Sequence, residues 1–307
     1  MRRRTPGVRR SAKRGTPTHS YLRSIGFESI KTKDQEKALV DWVLENPSRM
    51  SVVSLDREAN LAMAEKDVNG HAGIAVVGEI GESGGLVPEY YFPYLSSTHI
   101  SSTAPLSYEK TAARDGFSGM CEDDRLGLAL IFDVKNVPDV IRDQQDMLLG
   151  SATFQRVMLS MLLREATVVL PIGDRKKAPA NSRRAFEKRL NEAEEQGDLE
   201  SVGQLAREEM LRYGRAIQRI RDTDILTVVE SFFMPHGMES YSYYFLGEII
   251  SSALIFNEIT KERFYRMVLS VNGVEFTATV NENDLQGVPA AGLRLKGRGM
   301  LIGELAH

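Results

Sequence analysis

The chain has 307 residues, 42% of them apolar and 26% charged, with a net charge of −3 and one cysteine. This length suits two domains with room for a small third element, and the balance is too apolar for general disorder. No stretch reaches the roughly 18 uncharged apolar residues of a membrane span; the nearest, residues 151–172, is broken by Arg156, Arg164 and Glu165.

Residues 1–18 hold Arg2, Arg3, Arg4, Arg9, Arg10, Lys13 and Arg14 and no acid, leaving 32 of the 39 basic residues against 42 acids elsewhere. Such a tail can bind nucleic acid or an anionic surface, but it lacks an apolar signal core and cannot build a hydrophobic one. It reads as a disordered extension, with translation from an upstream start codon as its simplest origin. Cys121 stands alone, which excludes a disulfide framework and a cysteine zinc site and points to the cytoplasm. Glu122, Asp123 and Asp124 beside it would raise its thiol pKa, against a nucleophilic role.

From His19 the pattern becomes globular. "SYLRSIGF" reads as a short helix closed by Gly26, and Asp34 as the N-cap of a helix with Ala38, Leu39, Trp42 and Val43 on its apolar face, stopped by Pro47. "SVVSL" is a strand and "REANLAMAEKD" a short helix. "AGIAVVGEI", "LVPEYYFPYL" and "RLGLALIFDV" carry strand composition, the last nearly continuously apolar, as a strand covered on both faces should be. "PDVIRDQQDMLL" reads as a helix and "TFQRVMLSMLLREATVVLPI" as two strands or one long bent ribbon. Residues 19–172 are therefore expected to form an α+β domain on a mixed or antiparallel sheet.

Beyond a polar linker with Pro179, residues 173–222 switch to a 3.6-residue period and read as a helical hairpin, with Leu199, Val202, Leu205, Met210, Tyr213, Ile217 and Ile220 as its stripe. Residues 223–307 return to strands. "YSYYFLGEIISSALIFN" is long, with Gly247 as a bend point; "ERFYRMVLSV", an Asn272-Gly273 turn, "VEFTATV" and "LRLKGRGMLIGEL" follow. This order fits a small five-stranded barrel of the OB type, although an SH3-like barrel or a sandwich would leave a similar trace. Phe276 shares the apolar face of its strand with Val274, Ala278 and Val280, leaving Glu275, Thr277 and Thr279 outside.

Chemistry-bearing motifs are sparse. Gly81-Glu82-Ser83-Gly84-Gly85 satisfies G-x-S-x-G, but Pro88 and aromatics follow where a nucleophile elbow needs a helix, so a hairpin loop explains it better. The five histidines, His19, His71, His99, His236 and His307, show no metal-ligand spacing, and no cofactor loop is present. Arg294, Lys296 and Arg298 alternate, so one strand face would carry three positive charges and is the candidate ligand-binding row. Against nucleic acid, residues 224–307 hold ten acids and six bases, and "VEFTATV" offers no outward stacking platform.

Five segments in order, "HSYLRSIGF" (19–27), "EYYFPY" (89–94), "FMPHG" (233–237), "LGEI" (246–249) and "NENDLQGVPAAGLRLKG" (281–297), resemble an uncharacterised clostridial domain-of-unknown-function family, DUF3881-like. Its members begin at the equivalent of His19, which favours the upstream-start reading of the tail. They tend to carry Pro-Tyr-Gly where this chain has Pro235-His236-Gly237, and a tryptophan near Met300. The resemblance brings no established activity, cofactor or catalytic residue. Replacement of His236 by tyrosine in the family argues against an acid–base role, leaving "MPHG" as a chain reversal into the barrel.

The expectation is a cytoplasmic, non-enzymatic binding or scaffold protein acting through the hairpin and the barrel, with no cofactor, no metal and an unknown protein partner. Nucleic-acid binding by the barrel is a sub-reading. The competing expectation is a hydrolase or transferase assembled from distant residues such as His71, Ser83 and His99.

Overall fold

The computed structural model describes residues 19–55, 60–111, 116–147, 154–170, 229–236 and 241–307. The chain divides into two compact units, Met1–Val169 with Ser231–His307, and Leu170–Glu230. The helical hairpin expected over 173–222 lies outside the described residues, as does the basic tail.

The chain enters through a single turn, α1 (His19–Leu22), continued as a 3-10 turn (Arg23–Ile25) and closed by Gly26 at φ 81°, the left-handed cap expected there. Helix α2 (Lys33–Glu45) is capped by Thr32 rather than Asp34. The Thr32 hydroxyl accepts from Gln35 N–H while Gln35 Oε1 accepts from Thr32 N–H, a reciprocal box that outweighs a lone acid two residues later.

Strands β1 (Arg49–Ser54), β2 (Asn60–Asn69), β3 (Ala72–Ile80) and β4 (Leu86–Leu95) form an antiparallel four-stranded meander. β2 corrects the helix expected in "REANLAMAEKD". Alanine and glutamate favour helix by about a few tenths of a kcal/mol each, and pairing on both edges with β1 and β3 overrides that. The meander is buried on both faces. Ala64, Val68, Ile74 and Val76 face Leu39 and Val43 of α2, in a cluster that includes Leu22 and Phe27; Leu61, Met63, Ala75, Val77 and Phe92 join the main core.

A second sheet begins with β5 (Leu106–Lys110), β6 (Phe117–Asp123) and β7 (Leu128–Val134); β5 and β6 have no counterpart in the sequence reading. Helix α3 (Val137–Met147), foreseen from "PDVIRDQQDMLL", lies along β1, where Arg142 and Gln145 donate to the carbonyls of Val52 and Ser54 and so block that edge.

The barrel closes through β8 (Arg156–Val169), β10 (Ser242–Phe256), β11 (Arg263–Val271), β12 (Val274–Asn281) and β14 (Arg294–Ala306), with β9 (Phe232–Pro235) on β10 and the two-residue β13 (Leu285–Gln286) on β8. β12 and β8 run parallel; β10–β11, β11–β12, β10–β14 and β14–β8 are antiparallel. The boundary expected at 172 thus falls after a barrel strand: residues 223–307 supply four of the five strands and the preceding segment the fifth. β10 pairs β14 through Glu248 and β11 from there on, with a bulge between Ile249 and Ser251 just past Gly247. Asn272 (φ 52°) and Gly273 (φ 81°) make the foreseen tight turn, left-handed at both central positions.

Inside, Tyr243, Phe245, Phe276 and Phe233 interlock with ring centroids 5.0–6.3 Å apart. Thr277 and Thr279, expected on the solvent side of β12, are both fully buried. The alternation was right, but the outer face of this strand is covered: Thr277 Oγ1 donates to Ser97 Oγ (3.1 Å), and the 3-10 turn packs on β12.

Candidate functional site

β14 places Arg294, Lys296 and Arg298 on the face opposite the interior Leu295. The three differ in environment. Lys296 is exposed, Arg294 is only 6% exposed and stands across from Glu248, and Arg298 is half-buried in a cross-strand row with Tyr244 and Glu165. Arg298 Nε lies 3.2 Å from Glu165 Oε1, its NH1 3.1 Å from His236 Nε2, and its guanidinium 5.8 Å from the Tyr244 ring centroid. A guanidinium only donates, so His236 Nε2 accepts and the neutral imidazole carries its proton on Nδ1. The His236 ring also meets Tyr244 edge-on at 4.3 Å, and the backbone N–H of His236 donates to Ser242 O (2.7 Å), tying β9 to β10. His236 is therefore an internal partner of the basic row, a role sequence reasoning missed because nothing local signals the cross-strand neighbour.

On the far half of β10 the chemistry is different. From Ile249 to Asn257 the strand carries no charge, and Ile250 (42%), Leu254 (37%) and Phe256 (53%) are exposed, with Val288 (76%) also exposed on the loop before β14. Beyond Glu248 only β11 pairs with this half-strand. Its other side is met at Ile249, whose N–H donates to Leu293 O (2.8 Å) and whose carbonyl accepts from Gly292 N–H (2.9 Å), and by two side-chain contacts, Ser252 Oγ donating to Pro289 O (2.9 Å) and Asn69 Nδ2 to Phe256 O (3.1 Å). An uncharged apolar strip on a half-open strand edge has the character of an interaction surface.

Two polar clusters lie elsewhere. A recess of about 570 Å³ is lined by Ser101, Ser102, Thr103, Glu122, Asp123 and Arg125, among others. Two of its charged groups, Asp123 and Arg125, are committed to one another. Arg125 donates through Nε and NH2 to Asp123 (2.8 and 2.6 Å), through NH2 to Ser101 O and through NH1 to Gly273 O, while Ser102 Oγ donates to Asp123 Oδ2 (2.6 Å). Arg125 first, then Ser102, hold the Asp123 carboxyl down to about 2. Adjacent Cys121 is fully buried, and that burial is the main cause pushing its thiol up, with Asp123 adding to it.

The second cluster is built on Lys135, 2% exposed, whose Nζ lies 2.7 Å from Ser96 Oγ, 3.2 Å from Glu304 Oε2, 3.4 Å from Glu65 Oε1 and 4.6 Å from the Tyr94 ring centroid. Glu65 also accepts from Arg49 Nε (2.6 Å), and Tyr94 OH donates to Asp67. This network pins the meander to β7 and β14.

Of the residues considered for catalysis, Ser83 stands apart from His71. His71 sits in the β2–β3 turn and Ser83 in the β3–β4 hairpin, at opposite ends of β3 and about 30 Å apart along the strand. His99 is exposed and meets its neighbours Thr98 and Ser97; His307 stacks on Phe154 (4.6 Å). Among the described residues no group of three His, Cys, Asp or Glu side chains could hold a metal ion, and no helix is long and apolar enough to cross a membrane.

No curated protein and no solved structure matches the chain. The model of one family, a domain of unknown function described from an E. rectale gene, matches residues 22–303, nearly the whole length, so the chain belongs to the DUF3881 family.

Proposed function

We propose that this is a non-enzymatic cytoplasmic binding or scaffold protein whose barrel engages an extended, apolar segment of a protein partner along the far half of β10. The observation that carries this reading is the uncharged exposed strip of Ile250, Leu254 and Phe256 beside a strand edge that has lost its β14 neighbour. A partner strand could add main-chain hydrogen bonds there and bury these side chains. The commitment of the polar recess and of Lys135 to internal partners supports a binding role over a catalytic one.

The barrel itself supports an OB-type reading in permuted form. If β10, β11 and β12 are taken as the first three strands, β14 pairs antiparallel with the first, and β8 parallel with the third and antiparallel with β14. That is the OB pairing order with its last strand moved to the front of the chain. The outer face of β11 and β12, where OB domains commonly bind oligonucleotides, carries the buried Phe264, Thr277 and Thr279 here.

The nucleic-acid sub-reading rests on Lys296 and Arg298, with Tyr244 beneath the latter. Polyanion binding needs several free cations, and Arg298 is already paired with Glu165.

The full chain is tested by replacing Leu254 and Phe256 with aspartate. Both are exposed, so the thermal midpoint should stay within a degree or two while co-purification of the native-host protein partner is lost. Retention of the same partner by the double variant contradicts the proposal. Lys296→Glu should leave partner recovery unchanged, and a steeply salt-dependent nucleic-acid affinity lost in that variant would favour the sub-reading instead.

A further inference from the structure

Several arginines in the described part of the barrel and its surroundings have carboxylate partners, Arg23 with Asp284 and Glu28, Arg49 with Glu65, Arg125 with Asp123, Arg263 with Glu282 and Arg298 with Glu165, while Arg164 of β8 lies over the Tyr21 ring (4.5 Å). Arg266, in the middle of β11, departs from this. Its side chain is half-buried, its Nε is enclosed, and that Nε has no hydrogen-bond partner among the described residues. Directly across on β12 is Thr279, fully buried, whose Oγ1 is likewise enclosed without a partner. Enclosed polar groups are nearly always satisfied, and two orphans facing each other across one strand pair call for a shared explanation.

The surroundings can be built from register. Arg266 pairs with Ala253 of β10 on one side and Thr279 on the other. Two residues along β12, on the same face, Thr277 meets Ser97, so the loop after β4 lies over the barrel wall there. Two residues along β10, Ile255 meets the β2–β3 turn so closely that a Cβ on Gly70 would sit 3.1 Å from Ile255 Cγ2. The turn and the loop are joined, Ser96 N–H donating to His71 O (2.9 Å). Arg266 therefore lies on a patch of barrel wall bordered on two sides by loops that contain His71, Ser97, Thr98 and His99, and toward Phe264 and Asn281 by the 3-10 turn, whose Arg23 O accepts from Asn281 Nδ2 (3.2 Å). Burial acts on its guanidinium alone, disfavouring the charge with no carboxylate to offset it.

A guanidinium offers a fork of donors, and a hydroxyl on the neighbouring strand adds another; together they match the oxygens of a carboxylate or a phosphoryl group. We propose that Arg266 and Thr279 are the two arms of a binding site for a small oxyanion on the outer face of β11 and β12. The ligand supplies the negative charge that carboxylates provide for Arg23, Arg49, Arg125, Arg263 and Arg298. It also satisfies both orphaned groups at once, which a neutral ligand or a water molecule does only in part. This site lies on the barrel wall, distinct from the apolar strip of β10, and stands or falls independently of it.

The test uses the full chain, with inorganic phosphate and acetate titrated in separate arms at an ionic strength held constant with chloride, followed by calorimetry and thermal unfolding. At least one anion should bind saturably and raise the unfolding midpoint. Preference for phosphate assigns a phosphoryl ligand and preference for acetate a carboxylate. Arg266→Met should weaken that binding by at least about tenfold, and Thr279→Val by a few-fold. Lys296→Met, which removes an exposed charge elsewhere on the barrel, should bind as the wild type does. Absence of saturable binding of either anion to the wild type overturns the proposal. So does unchanged affinity in Thr279→Val together with unchanged affinity in Arg266→Met. Thr279→Val preserves shape, so it decides the matter alone if the arginine variant fails to fold.

Discussion

Lys135 illustrates how this protein handles buried charge. The ammonium is almost wholly removed from water yet meets Ser96, Glu304 and Glu65, so its desolvation is offset by three oxygens and an aromatic face. Lys135→Met should destabilise the protein by about 3 kcal/mol in urea unfolding, because Glu65 is left buried with only the exposed Arg49 as partner. Adding Glu65→Gln should recover part of the loss. Asp123 gives a pH-dependent counterpart. Its carboxyl is held down to about 2, so its contribution is complete above the ordinary carboxylate range and is lost as pH falls through about 2. The stability gap between wild type and Asp123→Asn, about 2 kcal/mol near neutrality, should therefore narrow between roughly pH 4 and pH 2. Denaturant titrations of the two proteins across that range check it. None of these partnerships was legible in the sequence: Asp123 looked like one of three surface acids, and Lys135 and Glu65 are 70 residues apart.

At the scale of elements, periodicity located most strands, while pairing determined what they became. "AGIAVVGEI", "LVPEYYFPYL" and the long ribbon before residue 170 are β3, β4 and β8, legible because β-branched and aromatic residues run between turn formers. β2 was misread because its alanines suit either state, and only its two neighbours decide between them. The packing of β7 shows a constraint invisible in one dimension. A Cβ on Gly119 of β6 would lie 2.2 Å from Phe132 Cε2, and one on Gly303 of β14 would lie 2.2 Å from Phe132 Cδ2. The ring thus covers bare backbone on both flanking strands. Gly303→Ala should cost about 1–3 kcal/mol by overpacking. In the Phe132→Leu background the same change should cost distinctly less, and a double-mutant cycle on chemical denaturation measures the difference.

For the whole molecule, the main consequence is that the barrel is not contiguous in sequence. β8 pairs with β12 and β13 on one edge and β14 on the other, yet it precedes the barrel's remaining strands by more than seventy residues. Sequence reading recognised a small barrel at the C-terminus but not its fifth strand, since nothing in "RVMLSMLLREATVV" announces a distant partner. Residues 223–307 produced alone should accordingly lack a cooperative thermal transition, and mixing with residues 1–172 should restore one. A cooperative melt from 223–307 by itself would contradict the closure described here. The same closure positions the proposed binding surface, because β14 leaves β10 near Glu248 and no strand pairs with the half-strand beyond on that side.

The most direct test of that surface is a photo-reactive phenylalanine analogue at position 256 of the full chain, expressed in the native host and irradiated. A discrete adduct with a second protein is predicted, absent when the analogue replaces Val87, which is similarly exposed (57%) on the meander. Equal labelling from both positions, or no protein adduct from position 256, would contradict the assignment of β10 as the binding strand.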